Sequence, residues 1–249
     1  MLNSNGLIFK DEQGIFPVVH FENKTGKFRC LGTSFLINGL GIFVTAKHVI
    51  QEVADSIDES DDMLMLVQHL SNKDSVSRVV TDLCLHPNAD IAVGLVGIAR
   101  HLLTAQPVEY ELAPSCRVSF GKMEPGFQIV GFGYPKTQTT VIDNLTTFHL
   151  QGKWSEGLVE ELHPNGLSLL QNSCYQTTMH IESGSSGGPV FNDGYVVGVN
   201  SSSFELTGEE KPISFITPIS YILDLQLSIE NNIKTIRDLI SQKAIIARS

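Results

Sequence analysis

The chain has 249 residues, of which 42% are hydrophobic and 18% charged, enough for the core of one large domain or two small ones. Its formal charge of −10 at pH 7 argues against a general affinity for nucleic acid or anionic membranes, and we expect neither as a partner. The longest central apolar run, residues 91–99, is too short to span a bilayer.

The strand-like segments come first along the chain. Short apolar and β-branched runs recur, separated by Gly, Pro, Asn or Asp, among them "GTSFLIN", "GIFVTA", "MLMLVQHL", "DIAVGLV", "FQIVGFGY" and "YVVGVN". This pattern favours an all-β barrel or sandwich over alternating strands and helices. An acidic run at 52–62 predicts a short helix or loop between strands, and a polar, proline-containing stretch at 104–115 divides the β part into two halves.

The pattern changes from Pro218 onward. Isoleucines and leucines recur there at helical spacing, first at 219, 222 and 223 and then at 233, 236, 239 and 240. The sequence therefore predicts three segments: an N-terminal β unit over residues 1–110, a second β unit over 111–217, and a helical tail over 218–249.

The four cysteines, Cys30, Cys84, Cys116 and Cys174, form no Cys-x-x-Cys pair and no zinc-ligand spacing, so we expect free thiols and no metal. The opening "MLNSNGLIFKDEQG" has neither the basic leader nor the apolar block of a secretory signal. Free thiols are typical of reducing compartments. On these grounds the sequence predicts a cytoplasmic protein.

The segment "HIESGSSGGPVFN" (180–192) fits either a flexible linker or a loop folded around one reactive hydroxyl. The following "GGPVFNDGYVVGVN" has the pattern strand, Asn-Asp-Gly turn, strand, which predicts a hairpin. Glycines at the entry to a buried hairpin allow unusual backbone angles and close approach of a substrate. Two backbone N–H groups can then converge on an oxyanion, so the second interpretation is favoured.

A serine nucleophile needs a base, and the base needs an orienting carboxylate. "GSSGG" also satisfies the G-x-S-x-G pattern of α/β-hydrolases, but that fold places its histidine after the serine, and here every histidine precedes Ser186. The order His, Asp, Ser is available. His48 follows a strand-like run, and Asp90 stands just before a very apolar one, where a carboxylate is costly unless it is paired.

These motifs resemble the chymotrypsin-fold, trypsin-like serine peptidases, and most of all the bacterial high-temperature-requirement (Deg-type) protease domains. The resemblance covers about residues 28–225 in the family's order. It rests on "GTSFLI" (32–37), "VTAKHV" (44–49), "ADIAV" (89–93), "GFQIVGFGYP" (126–135), "QTTMHIESGSSGGPVFN" (176–192), "GYVVGVNSSS" (194–203) and "SFITPIS" (214–220).

The resemblance implies two six-stranded antiparallel β-barrels followed by the helical tail. It implies a serine endopeptidase that works through an acyl-enzyme without a cofactor, on protein or peptide substrates. Ser186 would be the nucleophile, His48 the general base and Asp90 the orienting group, and the N–H groups of Gly184 and Ser186 would form the oxyanion hole.

The sequence departs from the family at three points. Val49 replaces the cysteine that follows the catalytic histidine in secreted relatives, and Ser185 replaces the aspartate that pairs with a newly cut N-terminus during activation. We therefore expect no activation by cleavage. The residues after Pro218 are too few for the PDZ domain of Deg-type proteins, so control by a regulatory protein partner is one expectation.

By the same resemblance, the primary specificity pocket has His180 at its base and Asn200, Ser201, Ser202 and Ser203 along its opposite wall. If His180 turned inward, Ile181 would line the pocket instead. A small apolar preference, an acidic or polar preference and a basic preference all stay open. Two other functions also stay open: a catalytically silent or partner-activated binding module, and a hydrolase of small esters.

Overall fold

The structure is a computed structural model. It describes residues 14–57, 61–69, 75–102, 104–109, 114–135, 137–142, 145–167, 170–204 and 213–248.

Six strands of the N-terminal half close into a barrel. They are β1 (Ile15–Glu22), β2 (Lys27–Leu36), β3 (Ile42–Thr45), β4 (Met63–His69), β5 (Ser75–Leu85) and β6 (Ala92–His101). Their order around the barrel is β1-β2-β3-β6-β5-β4, and every pair is antiparallel. Helix α1 (Lys47–Ile57) follows β3 and covers most of the acidic run; residues 58–60 of that run lie outside the described part.

A second ring of six strands follows. The C-terminal half contains β7 (Val118–Ser119), β8 (Gln128–Gly133), β9 (Gln138–Ile142), β10 (Leu145–His149), β11 (Lys153–His163), β12 (Cys174–Thr177), β13 (Pro189–Asn192), β14 (Tyr195–Phe204) and β15 (Ile213–Pro218). The order β13-β8-β11-β12-β15-β14 is closed by antiparallel pairing of β13 with β14. The predicted all-β, chymotrypsin-like pair of barrels is therefore confirmed. Strands β9 and β10 form a separate hairpin.

The β13–β14 hairpin turns as its sequence predicts. Asp193 and Gly194 have φ angles of 50° and 76°, the left-handed conformation that a two-residue hairpin turn requires. This turn fixes the register that places the serine segment directly before β13 and Ser201 on the neighbouring strand.

The segment after Pro218 is less helical than its spacing predicts. Only a 3-10 helix (Ile219–Ile222) and helix α2 (Ile236–Ser241) are helical; β16 (Gln226–Ile229) and β17 (Asn232–Thr235) form a hairpin, and β18 (Ala247–Arg248) pairs with β7. Leu225, Leu227 and Ile229 alternate with exposed residues, as a strand requires, and each is buried. Among the described residues, no helix is long and apolar enough to cross a membrane.

Candidate active site

His48 and Asp90 meet at the start of helix α1. The Nδ1 atom of His48 lies 2.9 Å from both carboxylate oxygens of Asp90, and the backbone N–H of His48 donates to Oδ1 over 3.0 Å. The imidazole is about half exposed, at 48%, whereas the Asp90 side chain is only 13% exposed. The carboxylate thus faces the positive end of the helix dipole while the opposite edge of the ring stays open to a substrate.

Asp90 stays ionised despite its burial. Burial by itself would raise the pKa of this carboxyl, but the hydrogen bond and charge of the His48 side chain, its backbone N–H and the hydroxyl of Ser201 together lower that pKa below its usual range. A carboxylate held in this form is an acceptor for an N–H at Nδ1 of His48.

A chain of buried polar groups leads to Asp90 from the second barrel. Asn172 donates through Nδ2 to the hydroxyl of Thr217 over 3.3 Å, and that hydroxyl lies 2.6 Å from the hydroxyl of Ser201, which in turn bonds Asp90. The side-chain oxygen of Asn172 also accepts the backbone N–H of Asp90 over 3.2 Å. The Ser201 hydroxyl stabilises the charge of the carboxylate, and the bond from the Asp90 N–H to Asn172 fixes the Asp90 backbone against the second barrel.

The serine loop owes its shape to its glycines. Gly184 and Gly187 have φ angles of 89° and 84°, where side chains are disfavoured. A Cβ on Gly187 would lie 2.1 Å from the carbonyl oxygen of Thr33, and one on Gly188 would lie 1.9 Å from that of Phe132. Both positions therefore require glycine, because the loop packs backbone against backbone.

Thr33 on β2 ties this loop to the first barrel. Its backbone N–H donates to the carbonyl of Ser186 over 2.8 Å, and its hydroxyl donates to the carbonyl of Gly184 over 2.9 Å. The same hydroxyl accepts the N–H of Tyr134 over 3.0 Å. Within the part of the chain that the structure describes, the N–H groups of Gly184 and Ser186 donate to no protein acceptor, so both remain available to a ligand.

The hydroxyl of Ser186 donates to the backbone carbonyl of Ser201 over 3.0 Å. That carbonyl belongs to β14, at the point where the register with β15 shifts between Asn200 and Ser202. The serine, the buried acid and the strand that would support a substrate are thus brought together around Ser201.

The residues expected to form the specificity pocket lie in different surroundings. His180 is exposed, and Ile181 is buried in the core of the second barrel, with its N–H donated to the hydroxyl of Ser214. Asn200 is buried and its amide holds the carbonyls of Phe132 and Ser185, so it supports the serine loop from within.

The three serines after Asn200 also differ from one another. Ser201 is fully buried against Asp90, while Ser202 borders an open cleft; Ser203 lies in β14, but its side chain is outside the described part. Asn200 thus contacts the serine loop and Ser201 contacts Asp90, and the specificity pocket stays a prediction.

The cleft next to Ser202 has a volume of about 420 Å³. Its lining comes from the start of α1, the loop before β6, the segment before β12 and β14: Lys47, His48, Pro87, Asp90, Leu170, Asn172. The cleft is the open side of the His48–Asp90 pair. No group of three or more His, Cys, Asp or Glu side chains in the described ranges is arranged to hold a metal ion.

Comparison with known proteins now adds to this geometry. The family model of the trypsin-like peptidase domain matches residues 32–199. The chain belongs to this family. The match includes His48, Asp90 and Ser186 and spans parts of both barrels.

Individual relatives of this trypsin-like peptidase domain are distant. A probable periplasmic serine endoprotease, DegP-like, of Pseudomonas putida is 26% identical over 212 residues, covering 83% of this chain and 36% of the relative. Protease Do-like 5, chloroplastic, of Arabidopsis thaliana is 27% identical over 81% of this chain and 58% of the relative. The chain thus spans about a third to just over half of the length of these relatives.

A solved structure supports the fold. The crystal structure of Deg5 matches with a TM-score of 0.57 at 21% identity and covers 84% of each chain. At this identity the likeness shows the fold alone. It agrees with the two closed strand rings described above.

The predicted cytoplasmic location is wrong. The relatives of this trypsin-like peptidase domain are named as periplasmic or chloroplastic proteins. The prediction failed because free cysteines do not distinguish a reducing compartment from an oxidising one. All four cysteines are free in the structure, and three of them have thiols whose pKa burial raises, to about 12 for Cys116 and about 11 for Cys174. Buried, unpaired and mostly protonated thiols are compatible with an oxidising compartment as well as a reducing one.

Sequence reasoning missed Thr33, Asn172 and Lys47. Thr33 follows Gly32 in a strand-like run, and nothing local shows that its hydroxyl reaches a loop 151 positions later. Asn172 precedes a strand and reads as a turn residue. Lys47 had one available signal, its position next to the candidate base in "TAKHV".

Proposed function

We propose that this chain is a serine endopeptidase that cleaves peptide bonds of protein substrates through Ser186, His48 and Asp90. The observation that carries the proposal is the His48–Asp90 pair, with Nδ1 bound to a buried, ionised carboxylate at 2.9 Å. Membership of the trypsin-like peptidase family and the name of the relatives, serine endoproteases, support it.

The proposed reaction begins at the Ser186 hydroxyl. His48 takes the hydroxyl proton through Nε2 as the oxygen attacks the substrate carbonyl, and the imidazolium is stabilised by Asp90. The unoccupied N–H groups of Gly184 and Ser186 bind the oxyanion of the tetrahedral intermediate. His48 then protonates the leaving amine, and the acyl-enzyme is released when His48 activates a water molecule.

The test is labelling with a fluorophosphonate, which reacts with an activated serine hydroxyl. We expect one label per chain, located on Ser186 by peptide mass, together with cleavage of an unstructured protein such as casein. Ser186→Ala should remove both signals and His48→Ala should remove nearly as much, because the two residues act as a unit. Ser186→Ala with most of its peptidase activity retained would refute the proposal.

One observation favours a second candidate, a partner-activated protease. The Ser186 hydroxyl donates to the carbonyl of Ser201, and it has to rotate away from that acceptor before it can donate to His48. A ligand whose own N–H binds the Ser201 carbonyl would release the hydroxyl. Fluorophosphonate labelling that becomes several-fold faster when a peptide or partner protein is added would support this candidate; a rate independent of any addition would exclude it.

We also propose a periplasmic or organellar location, because the relatives are named as periplasmic or chloroplastic. Fractionation of the source cells with antibody detection tests this directly. Recovery of the protein with cytoplasmic marker enzymes would contradict it.

A further inference from the structure

We propose that the cleft beside His48 binds an acidic side chain of the peptide substrate and that Lys47 is the residue that selects it. This inference rests on the proposed endopeptidase function and adds a substrate class to it. The cleft is bounded by Lys47 and His48 on one side and by Leu170 and Ser202 on the other.

The cleft lies close to the reacting serine along β14. The Ser186 hydroxyl bonds the carbonyl of Ser201, and the next residue, Ser202, borders the cleft together with His48. One residue of extended chain advances about 3.3 Å. A peptide that runs along β14 with its scissile carbonyl at Ser186 therefore brings a side chain within two residues of that bond into the cleft.

The charges of the lining favour an anion. Three lining residues are ionisable: Lys47, His48 and Asp90. Both oxygens of Asp90 are already engaged by His48, and the Ser201 hydroxyl bonds the same carboxylate. Lys47 is thus the lining charge that is not neutralised within the site, and a substrate carboxylate is the group that complements it.

The ammonium of Lys47 is held at the cleft and still has free donors. Its Nζ donates to the backbone carbonyl of Pro87 over 3.1 Å, which anchors the long side chain. An ammonium has three N–H donors, and the described residues provide this one acceptor. Burial lowers the pKa of the nearby His86, and the positive charge of Lys47 lowers it further, so the Lys47 charge acts on this loop.

The shape of the lining favours glutamate among acidic residues. Pro87, Ala89 and Leu170 provide apolar wall, and Gln51, Asn88 and Gln171 provide amide donors. A glutamate side chain has two methylene groups that can contact the apolar wall and a carboxylate that reaches both the ammonium and an amide. The net charge of −10 repels acidic peptides over the whole surface, so a preference for glutamate has to come from this local site.

The experiment compares matched fluorogenic peptides that carry Glu or Gln at one position at a time, over three residues on each side of the cleaved bond. At one position within two residues of the bond, we expect kcat/KM for Glu to exceed that for Gln by about 2- to 5-fold at low salt, the range of a solvent-accessible ion pair. The ratio should decrease with added salt.

Substitutions at position 47 identify the residue responsible. Lys47→Gln should reduce the Glu/Gln ratio to about one, and Lys47→Glu should invert it. Lys122→Gln, which removes an exposed positive charge from the loop after β7, should leave the ratio unchanged. Because both peptides are cleaved by the same catalytic groups, the ratio is insensitive to any general loss of turnover caused by a change next to His48.

The outcomes separate this inference from the proposed function. Equal turnover of Glu and Gln peptides at every position overturns the inference and leaves the endopeptidase intact, and so does a ratio that persists in Lys47→Gln. If no peptide is cleaved, the proposed function fails. Binding of the same peptide pairs to the Ser186→Ala chain, measured by calorimetry, then decides whether the cleft prefers a carboxylate.

Discussion

The two barrels hold their catalytic candidates by different means. In the first barrel, Asp90 is fixed by side-chain and backbone donors that converge on one carboxylate. In the second barrel, Ser186 lies in a loop whose position depends on backbone packing at Gly187 and Gly188. The Asp90 side chain is held by hydrogen bonds, whereas the loop of Ser186 depends on close packing in addition to its hydrogen bonds with Thr33.

This difference predicts two kinds of failure. A substitution that removes a donor near Asp90 leaves the fold intact and changes the protonation and orientation of His48. A substitution that adds atoms to the serine loop displaces backbone and therefore lowers the stability of the protein as well as its activity. Four substitutions test that distinction, from the largest expected loss of activity or stability to the smallest.

Asp90→Asn should have the largest effect, and that effect should fall mainly on the chemistry. Asparagine cannot stabilise the imidazolium and favours the wrong tautomer of His48, so kcat should fall by about 10⁴-fold. The melting temperature at neutral pH should fall only by the modest amount that the lowered pKa of Asp90 contributes to stability. Asp193→Asn removes an exposed carboxylate from the β13–β14 turn and is the matched control, for which activity should stay at the wild-type level.

The lowered pKa of Asp90 provides a second measurement on the same variant. A carboxyl whose pKa is lower in the folded state contributes stability above its unfolded pKa of about 3.9, and that stability is lost as the pH falls toward the folded pKa. Acid unfolding of the wild type should include this loss, whereas Asp90→Asn should show a shallower dependence on pH below 4. Identical acid-unfolding curves would contradict this account of the carboxylate.

Gly187→Ala should lower both stability and activity. Its Cβ would lie 2.1 Å from the carbonyl oxygen of Thr33 and 2.2 Å from the hydroxyl of Thr45, and φ is 84°. Overpacking and backbone strain together should reduce the free energy of unfolding by about 3 kcal/mol, measured by urea denaturation.

Gly26→Ala is the control for Gly187→Ala. Gly26 also has a positive φ, 67°, but a Cβ there meets nothing within 4 Å. It should cost only the strain of the left-handed conformation, about 1 kcal/mol. Equal losses at the two positions would mean that close packing does not hold the serine loop.

Thr33→Val should impair catalysis because it displaces the serine loop, which carries the N–H groups of Gly184 and Ser186. Valine keeps the shape but removes the hydroxyl that bonds the carbonyl of Gly184 and the N–H of Tyr134. We expect kcat to fall by about 10- to 100-fold, less than the loss of a whole oxyanion donor, with little change in KM. Affinity for a peptide boronic acid should fall in parallel with kcat/KM, because both depend on the oxyanion site.

Thr33→Ser retains the hydroxyl and should recover most of the activity lost in Thr33→Val. Failure of serine to restore activity would show that the methyl group of Thr33, rather than its hydrogen bonds, is what the loop requires.

Ser185→Ala should have the smallest effect, less than about threefold in kcat/KM. The backbone of Ser185 holds the loop, through its N–H to Glu182 and its carbonyl to Gly188, and alanine retains both bonds. The comparison with Ser186→Ala identifies which of two adjacent serines is the nucleophile. A loss at position 185 as large as that at position 186 would contradict the assignment.

The elements that the sequence predicted correctly are those with local signals. The apolar runs at β3 and at the starts of β6 and β14 correspond to buried residues, and "FNDG" supplies the turn residues of the β13–β14 hairpin. The helical tail was predicted poorly because Leu225, Leu227 and Ile229 fit a strand as well as a helix when read in isolation. Glu230 and Asn231 adopt positive φ angles, and only tertiary packing selects the hairpin there.

The residues of the candidate site also differ in whether they have a local sequence signal. The candidate triad follows from motifs, each with its own local pattern. The supporting groups have no such local pattern. Asn172 and Asp90, for example, are 82 positions apart in the sequence but are joined by a hydrogen bond in the structure. The specificity pocket stays a prediction, and no local pattern shows that the Asn200 amide donates to the carbonyls of Phe132 and Ser185.

The segment after Pro218 has a consequence for how the protein folds. Leu227, Ile229, Ile236 and Leu239 are buried in the same core cluster as Val18 and Phe35 of the first barrel, and the N–H of Ser228 donates to Asp82. The N-terminal barrel therefore cannot complete its core until residues more than 140 positions later have been synthesised. Contacts of such long sequence separation slow folding. On a ribosome, this order delays completion of the first barrel until almost the whole length described here has emerged.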